Sequence, residues 1–153
     1  MDISKFKHID HIHVRNYEID WQGIVHNGNY LLYFEIARVN YFKEIEMKID
    51  ERSISGSIRI VLVRNEIDYL NSASYDDRLK IYTRISSIKN SSFVCEGLMY
   101  NVGTNLPIAK NLAVHVWTDA RTKKSIPVPN DFRRLVDKYE GGNAEILWPT
   151  IEV

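Results

Sequence analysis

Asp20-Trp21-Gln22-Gly23-Ile24-Val25-His26-Asn27-Gly28-Asn29-Tyr30, running directly into Leu31-Leu32-Tyr33-Phe34-Glu35-Ile36-Ala37-Arg38, is the stretch on which the reading of this chain turns. Extended character from His8 to Ile19 ends at Asp20, a loop with Gly23 and Gly28 follows, and apolar residues from Tyr30 onward recur at helical spacing. A carboxylate therefore stands just ahead of a helix start. The first N–H groups of a helix have no internal partner and carry about half a positive charge between them, so they can hold an oxygen that becomes negative during acyl transfer.

Working outward, Ile12 and Val14 alternate with His11, His13, Arg15 and Tyr17, which predicts a strand from His8 to Ile19 that delivers Asp20 to the loop. Tyr30, Phe34, Ala37, Tyr41 and Ile45 form one stripe of a helix from Tyr30 to Ile45, and Leu31, Leu32, Ile36, Val39 and Phe42 carry apolar character most of the way round it. Such a helix wants burial on several sides. Alternation and β-branched residues then predict strands over Ser57 to Leu70, Leu79 to Ile88, Phe93 to Asn101 and Ala109 to Thr118. The first of these is apolar on both faces and reads as central. Pro127 and Pro129 stop the pairing, Asn130 is placed to cap a short helix from Asp131 to about Tyr139, and Gly141-Gly142 ends it. The result is an α+β fold in which an antiparallel meander curls around one long central helix.

With 153 residues, no internal repeat and no linker, residues 1–153 read as a single domain. Lys plus Arg and Asp plus Glu both number 20, so no net charge draws the chain to nucleic acid or an anionic membrane. Apolar runs such as Ile60-Val61-Leu62-Val63 are far short of the ~20 residues that span a bilayer, and the first ten residues lack a signal-peptide core. Cytoplasm is the expected location. One cysteine, Cys95, excludes an intrachain disulfide and reads as a small core hydrophobe. Of His8, His11 and His13, the last two share a strand face, and two imidazoles without a nearby cysteine or acidic third ligand make a poor zinc set, so no metal is expected. No phosphate-binding Gly loop and no Gly-x-Ser-x-Gly elbow is present, which disfavours nucleotide hydrolysis and serine-hydrolase chemistry.

The ordered set Asp20, Gly23-Ile24-Val25, His26-Asn27, Tyr30 and Phe34-Glu35-Ile36-Ala37-Arg38 resembles the hot-dog-fold thioesterases of the 4-hydroxybenzoyl-CoA thioesterase-like group. The Lys89-Asn90-Ser91-Ser92-Phe93 turn and the Ile126-Pro127-Val128-Pro129 tail extend the resemblance over almost the whole chain. It implies the hot-dog fold and hydrolysis of acyl-CoA, or of acyl-carrier-protein thioesters, with coenzyme A as part of the substrate and no further cofactor. It also implies catalytic roles for Asp20, His26 and Asn27. Asp20 acts as nucleophile or general base, and the amides of Asn27, Gly28 and Asn29 receive the thioester oxygen.

Seven residues beyond the acid, members carry an imidazole or an amide. Here that position is Asn27, with His26 one residue early. Tyr17 and Tyr30 complete the expected substrate-binding set, with Lys89 and Ser91 toward the phosphates of coenzyme A. Glu35 and Arg38 read as a structural i,i+3 pair. Two other functions stay open: a non-catalytic acyl-thioester-binding module on the same fold, and hydration of an enoyl thioester. The expected partners are a small-molecule acyl-CoA and further copies of the chain, as a homodimer or homotetramer, because a curled sheet leaves unpaired edges.

Overall fold

A computed structural model describes residues 1–48 and 56–150. In chain order it contains β1 (His8–His13), a 3-10 turn (Asn16–Glu18), α1 (Asn27–Glu44), β2 (Ile58–Tyr69), β3 (Arg78–Ile88) and β4 (Ser92–Asn101). These are followed by β5 (Pro107–Asp119), α2 (Asn130–Glu140) and β6 (Glu145–Ile146). The strands make one sheet in the order β1-β3-β4-β5-β2, with β6 parallel to the end of β3. This is the expected α+β architecture, one long helix with an antiparallel sheet, and the boundaries of α1 and β2 to β5 fall within three residues of the sequence reading.

The chain forms two compact units, Met1–Tyr41 with Glu66–Arg84 and Glu96–Leu112, and Phe42–Asn65 with Ile85–Cys95 and Ala113–Val153. It passes from one to the other inside α1 and inside β2 to β5. In the first unit the helical stripe does what its spacing requires: Tyr30, Phe34, Ala37 and Tyr41 are all buried, and they join Val14, Val25, Tyr33, Leu79, Ile81 and Met99 in or beside one core. Gly97 of β4 is where that core needs the least side chain, since a Cβ there would stand 2.7 Å from the Phe34 ring. In the second unit Phe42, Phe93, His115, Trp117 and Phe132 pack ring to ring, with Phe93 stacked on His115 at 5.0 Å between centroids.

Five expectations are corrected. β1 stops at His13 instead of reaching Ile19, because the Val14 N–H is taken by the Asp77 carbonyl and the chain then winds into the 3-10 turn. β2 lies beside β5, not beside β3, so the sheet is no simple meander. The segment joining β2 to β3 is not a hairpin turn, for its backbone is committed elsewhere: Leu70 and Asn71 donate to Ile108, and Ser74 bridges Ile24. β2 is therefore an edge strand rather than a central one, and Val61, Leu62 and Val63 are 42%, 44% and 57% exposed.

The remaining two concern helices. Arg38 is buried and donates to Asn111 Oδ1 at 3.0 Å, whose amide donates to the Glu66 carbonyl; Glu35 stays in solvent, so the expected helical pair is not what holds Arg38. Pro129, not Asn130, occupies the N-cap of α2, its fixed φ of −59° fitting the helix entry. Gly141 ends that helix in left-handed conformation at φ 60°, in keeping with the sequence reading. α1 itself leaves Leu32 and Ile36 exposed, so one of its sides is uncovered within the chain.

Candidate active site

Everything around Asp20 belongs to the first unit and is set by local backbone chemistry. The Asp20 carbonyl accepts the Gly23 N–H at 3.0 Å and the Asp20 N–H donates to Ile24 at 2.8 Å, which closes a three-residue hairpin loop, Trp21 to Gly23. Such loops need a left-handed residue at their third position, and Gly23 supplies it at φ 81°. Asp20 Oδ1 takes the Gln22 N–H at 2.8 Å, and its other oxygen has no bond among the described residues. Trp21 at the tip is 91% exposed.

The helix start is fixed from two directions. His26 sits at the N-cap, its Nδ1 accepting the Gly28 N–H at 3.1 Å and its carbonyl accepting the Asn29 N–H at 2.9 Å. Behind it, the Glu18 carbonyl accepts the His26 N–H at 2.9 Å and the Asn29 side-chain amide at 2.7 Å. Glu18 is in turn gripped by Arg15, whose backbone N–H and Nε donate to its Oε1 at 2.8 and 2.9 Å. Burial alone would raise the Glu18 carboxyl; the bonds from Arg15 outweigh it and hold the group below its ordinary value. Tyr33, beside Glu18, is pushed well above the usual phenol range by burial and by that negative charge.

Asp20, Gln22, Asn27, Tyr30, Tyr69 and Asn71 are among the residues that line one cleft of about 370 Å³. Of the sequence-predicted residues, Asp20, Asn27 and Tyr30 are thus brought together. Tyr30 is 4% exposed, and its phenol oxygen accepts the Ala73 N–H at 3.1 Å. Burial raises its pKa, with the nearby negative charge of Asp20 and Asp77 adding to the effect, so the phenol keeps its proton. Tyr69 donates to the Asn27 carbonyl at 3.2 Å.

The other candidates lie elsewhere. His26 and Gly28 are bonded to each other at the cap, the Asn29 side chain is committed to Glu18, and Tyr17 stands 73% exposed on the 3-10 turn under the Arg15 guanidinium. Lys89 and Ser91 belong to the second unit, in the β3–β4 turn. Their backbone is clamped: buried Arg133 donates to the carbonyls of Lys89 and Asn90 at 2.8 and 3.0 Å, and the Ser91 carbonyl accepts from Trp117 at 2.9 Å. His13 Nε2 lies 2.5 Å from Asp76 Oδ1, a surface pair. Among the described residues no helix is long and apolar enough to cross a membrane.

Sequence reasoning missed Glu18, although a Glu three residues after the entry to a helical turn is placed to accept the entry residue's N–H, as it does from Arg15. It also missed Tyr69, Asn71 and Ser72, which reach the cleft from the far end of β2 with no local signal.

One long helix with an antiparallel sheet in this strand order is the hot-dog fold. A family model described as the Thioesterase-like superfamily matches residues 14–136, and the chain belongs to that family. Among its relatives, an acyl-acyl carrier protein thioesterase, ATL3, from Arabidopsis thaliana is 23% identical over 86% of this chain and 67% of its own length. The acyl-CoA thioesterase YbgC of Haemophilus influenzae is 26% identical over 76% of this chain and 84% of its own. The same fold recurs in a Staphylococcus aureus protein solved in complex with CoA, with a TM-score of 0.80 at 16% identity, covering 95% of this chain and 94% of that one.

Glu18→Gln should lower stability by about 1.5–3 kcal/mol at neutral pH, since it removes the charge in a bonded pair while keeping its shape. Because the folded carboxyl titrates below its ordinary 4.5, the stabilisation is complete above that pH and is lost as the pH falls through the folded value. Urea denaturation of both proteins across this range reads the difference, which should shrink in acid.

Proposed function

We propose that the chain hydrolyses acyl-CoA thioesters, with acyl-carrier-protein thioesters as the second substrate class, and that Asp20 is the catalytic carboxylate. The observation that carries this is the placing of Asp20 and Asn27, the first residue of α1, on one cleft. Two routes use the same geometry. Either Asp20 attacks the thioester carbon, expelling thiolate and leaving a mixed anhydride that water cleaves, or it takes a proton from the water that attacks directly. Both end in free acid and thiol. In both, the carbonyl oxygen becomes negative and is received at the positive end of α1.

The Asn27 N–H is the amide best placed to do so, since those of Gly28 and Asn29 are already given to His26. His26 is on this account a positioning residue that shapes the first turn. Tyr30, protonated and with its oxygen taken by Ala73, has its hydroxyl hydrogen left to donate to substrate. Gly28 and Asn29 keep a substrate-binding place through the turn they build, and Lys89 and Ser91 one toward the phosphates of coenzyme A. Tyr17 is assigned to the outer rim, and no metal is required.

Release of free CoA from a panel of acyl-CoAs, followed with a thiol reagent, separates hydrolysis from mere binding and from enoyl hydration. Asp20→Asn, nearly isosteric, should lower kcat by about a thousandfold with little change in KM. Unchanged kcat would remove Asp20 from the chemistry.

His26 allows a sharper comparison. As a cap, His26→Ala should cost about 1 kcal/mol of stability that His26→Asn restores, with kcat of the Asn variant close to wild type. A loss of about a hundredfold in kcat in both variants would instead make the imidazole itself an acid or base.

We further propose a homodimer joined along β2, with a homotetramer as the next assembly. β2 is an edge strand and α1 leaves Leu32 and Ile36 exposed, and edge pairing with a second copy satisfies the unpaired backbone groups of the strand. Light scattering after size exclusion should give at least twice the chain mass of 17.9 kDa. A fully active species at the single-chain mass would defeat the shared assembly.

A further inference from the structure

In the second unit, β2 and β5 lie side by side, and Val61 and Val63 of one with Val116 of the other floor a groove of about 610 Å³. Ala120 extends the floor, and Arg59 and Lys123 stand at its margin. The floor is aliphatic carbon left in water, which burial under an apolar ligand would stabilise. With Asp119, which also lines the groove, the two cations leave a net single positive charge there. Among the described residues neither Arg59 nor Lys123 forms an ion pair; Arg59 donates instead to the main-chain carbonyls of Gly56 and Ile58.

The one carboxylate in the turn, Asp119, is consumed by it. Its Oδ1 takes the N–H groups of Thr122 and Arg121 at 2.8 and 2.9 Å, and those bonds hold it below its ordinary pKa. The same turn forces Lys123 into left-handed backbone at φ 58°, its N–H donating to the Asp119 carbonyl at 2.8 Å. Glycine would sit there without strain.

We propose that this groove is a second binding site, for an aliphatic amphiphile with a single anionic head. The aliphatic body lies along the valines and the head sits between Arg59 and Lys123. Among the described residues no aromatic ring lines the groove for a nucleotide base to stack on, so the valine floor favours an alkyl chain over a nucleotide. Acids released by thioester hydrolysis belong to this chemical class, so the groove would sense product; that link, unlike the site itself, rests on the hydrolytic reading. Pairing of β2 with a second copy uses main-chain groups in the plane of the sheet and leaves this face open.

Calorimetric titration of the full chain with sodium dodecanoate tests the site. Lys123→Gly suits the left-handed backbone, so the fold is kept while the cation is lost; affinity should fall about threefold, and further when Arg59→Gln is added. High salt should weaken binding. Dependence on Lys123 supports the site whether or not the chain proves to be a hydrolase. The proposal is overturned by an absence of binding, by unchanged affinity in Lys123→Gly, or by equal binding of dodecyltrimethylammonium.

Discussion

Glu18 is bound at both of its ends, and the placing of the cleft at Asp20 follows from that. Its carboxylate is held by the backbone and guanidinium of Arg15, which turns the chain out of β1; its carbonyl holds His26 and the Asn29 side chain, which starts α1. Between these anchors lies the loop that carries Asp20. The acid and the helix start are thus positioned by one buried residue, and the desolvation of its charge is a penalty that charge-assisted bonds offset. Removing Arg15 would leave that charge uncompensated, so the two residues form one device.

Much of this was legible in the residues. The stripe from Tyr30 to Ile45 announced α1 because five apolar positions at helical spacing leave few other solutions, and all five are buried. The strands were legible for the same reason at period two. What failed was neighbourhood. Nothing local tells β2 that it pairs with β5, since strand order depends on where the backbone bonds of the 70–77 connection go, and its double-sided apolar character was misread as central burial. Within the site, Asp20, Asn27 and Tyr30 could be grouped because only a short loop and one helical turn separate them. Tyr69, Asn71 and Ser72 arrive from the far end of β2 and carry no local mark. His26 was legible as a residue but not as a cap, because imidazole is an unusual choice where Ser, Asp or Asn serve more often.

The second unit solves a related problem by different means. Arg133, 1% exposed, has no carboxylate partner among the described residues and instead spreads its donors over the carbonyls of Val128, Lys89, Asn90 and Leu147. Burial lowers its pKa without neutralising a guanidinium, so the charge has to be absorbed by backbone dipoles. One side chain thereby pins the β3–β4 turn, the entry to α2 and the chain beyond β6. A lysine there, with a point charge and three donors, could not reach the same four acceptors.

The hairpin loop at Trp21 to Gly23 has a further consequence for how this protein can be altered. Its geometry depends on a residue count and on one glycine, while the indole and amide at its tip contribute no bond to the closure. Composition at Trp21 and Gln22 is therefore open, but length is not. One residue added or removed would break the Asp20–Ile24 pairing and move the carboxylate to the opposite face of the strand. Libraries that aim to reshape the mouth of the cleft can randomise the tip, with proline left out at Gln22 because its N–H holds Asp20 Oδ1, provided that every member keeps the same number of residues between the acid and the helix.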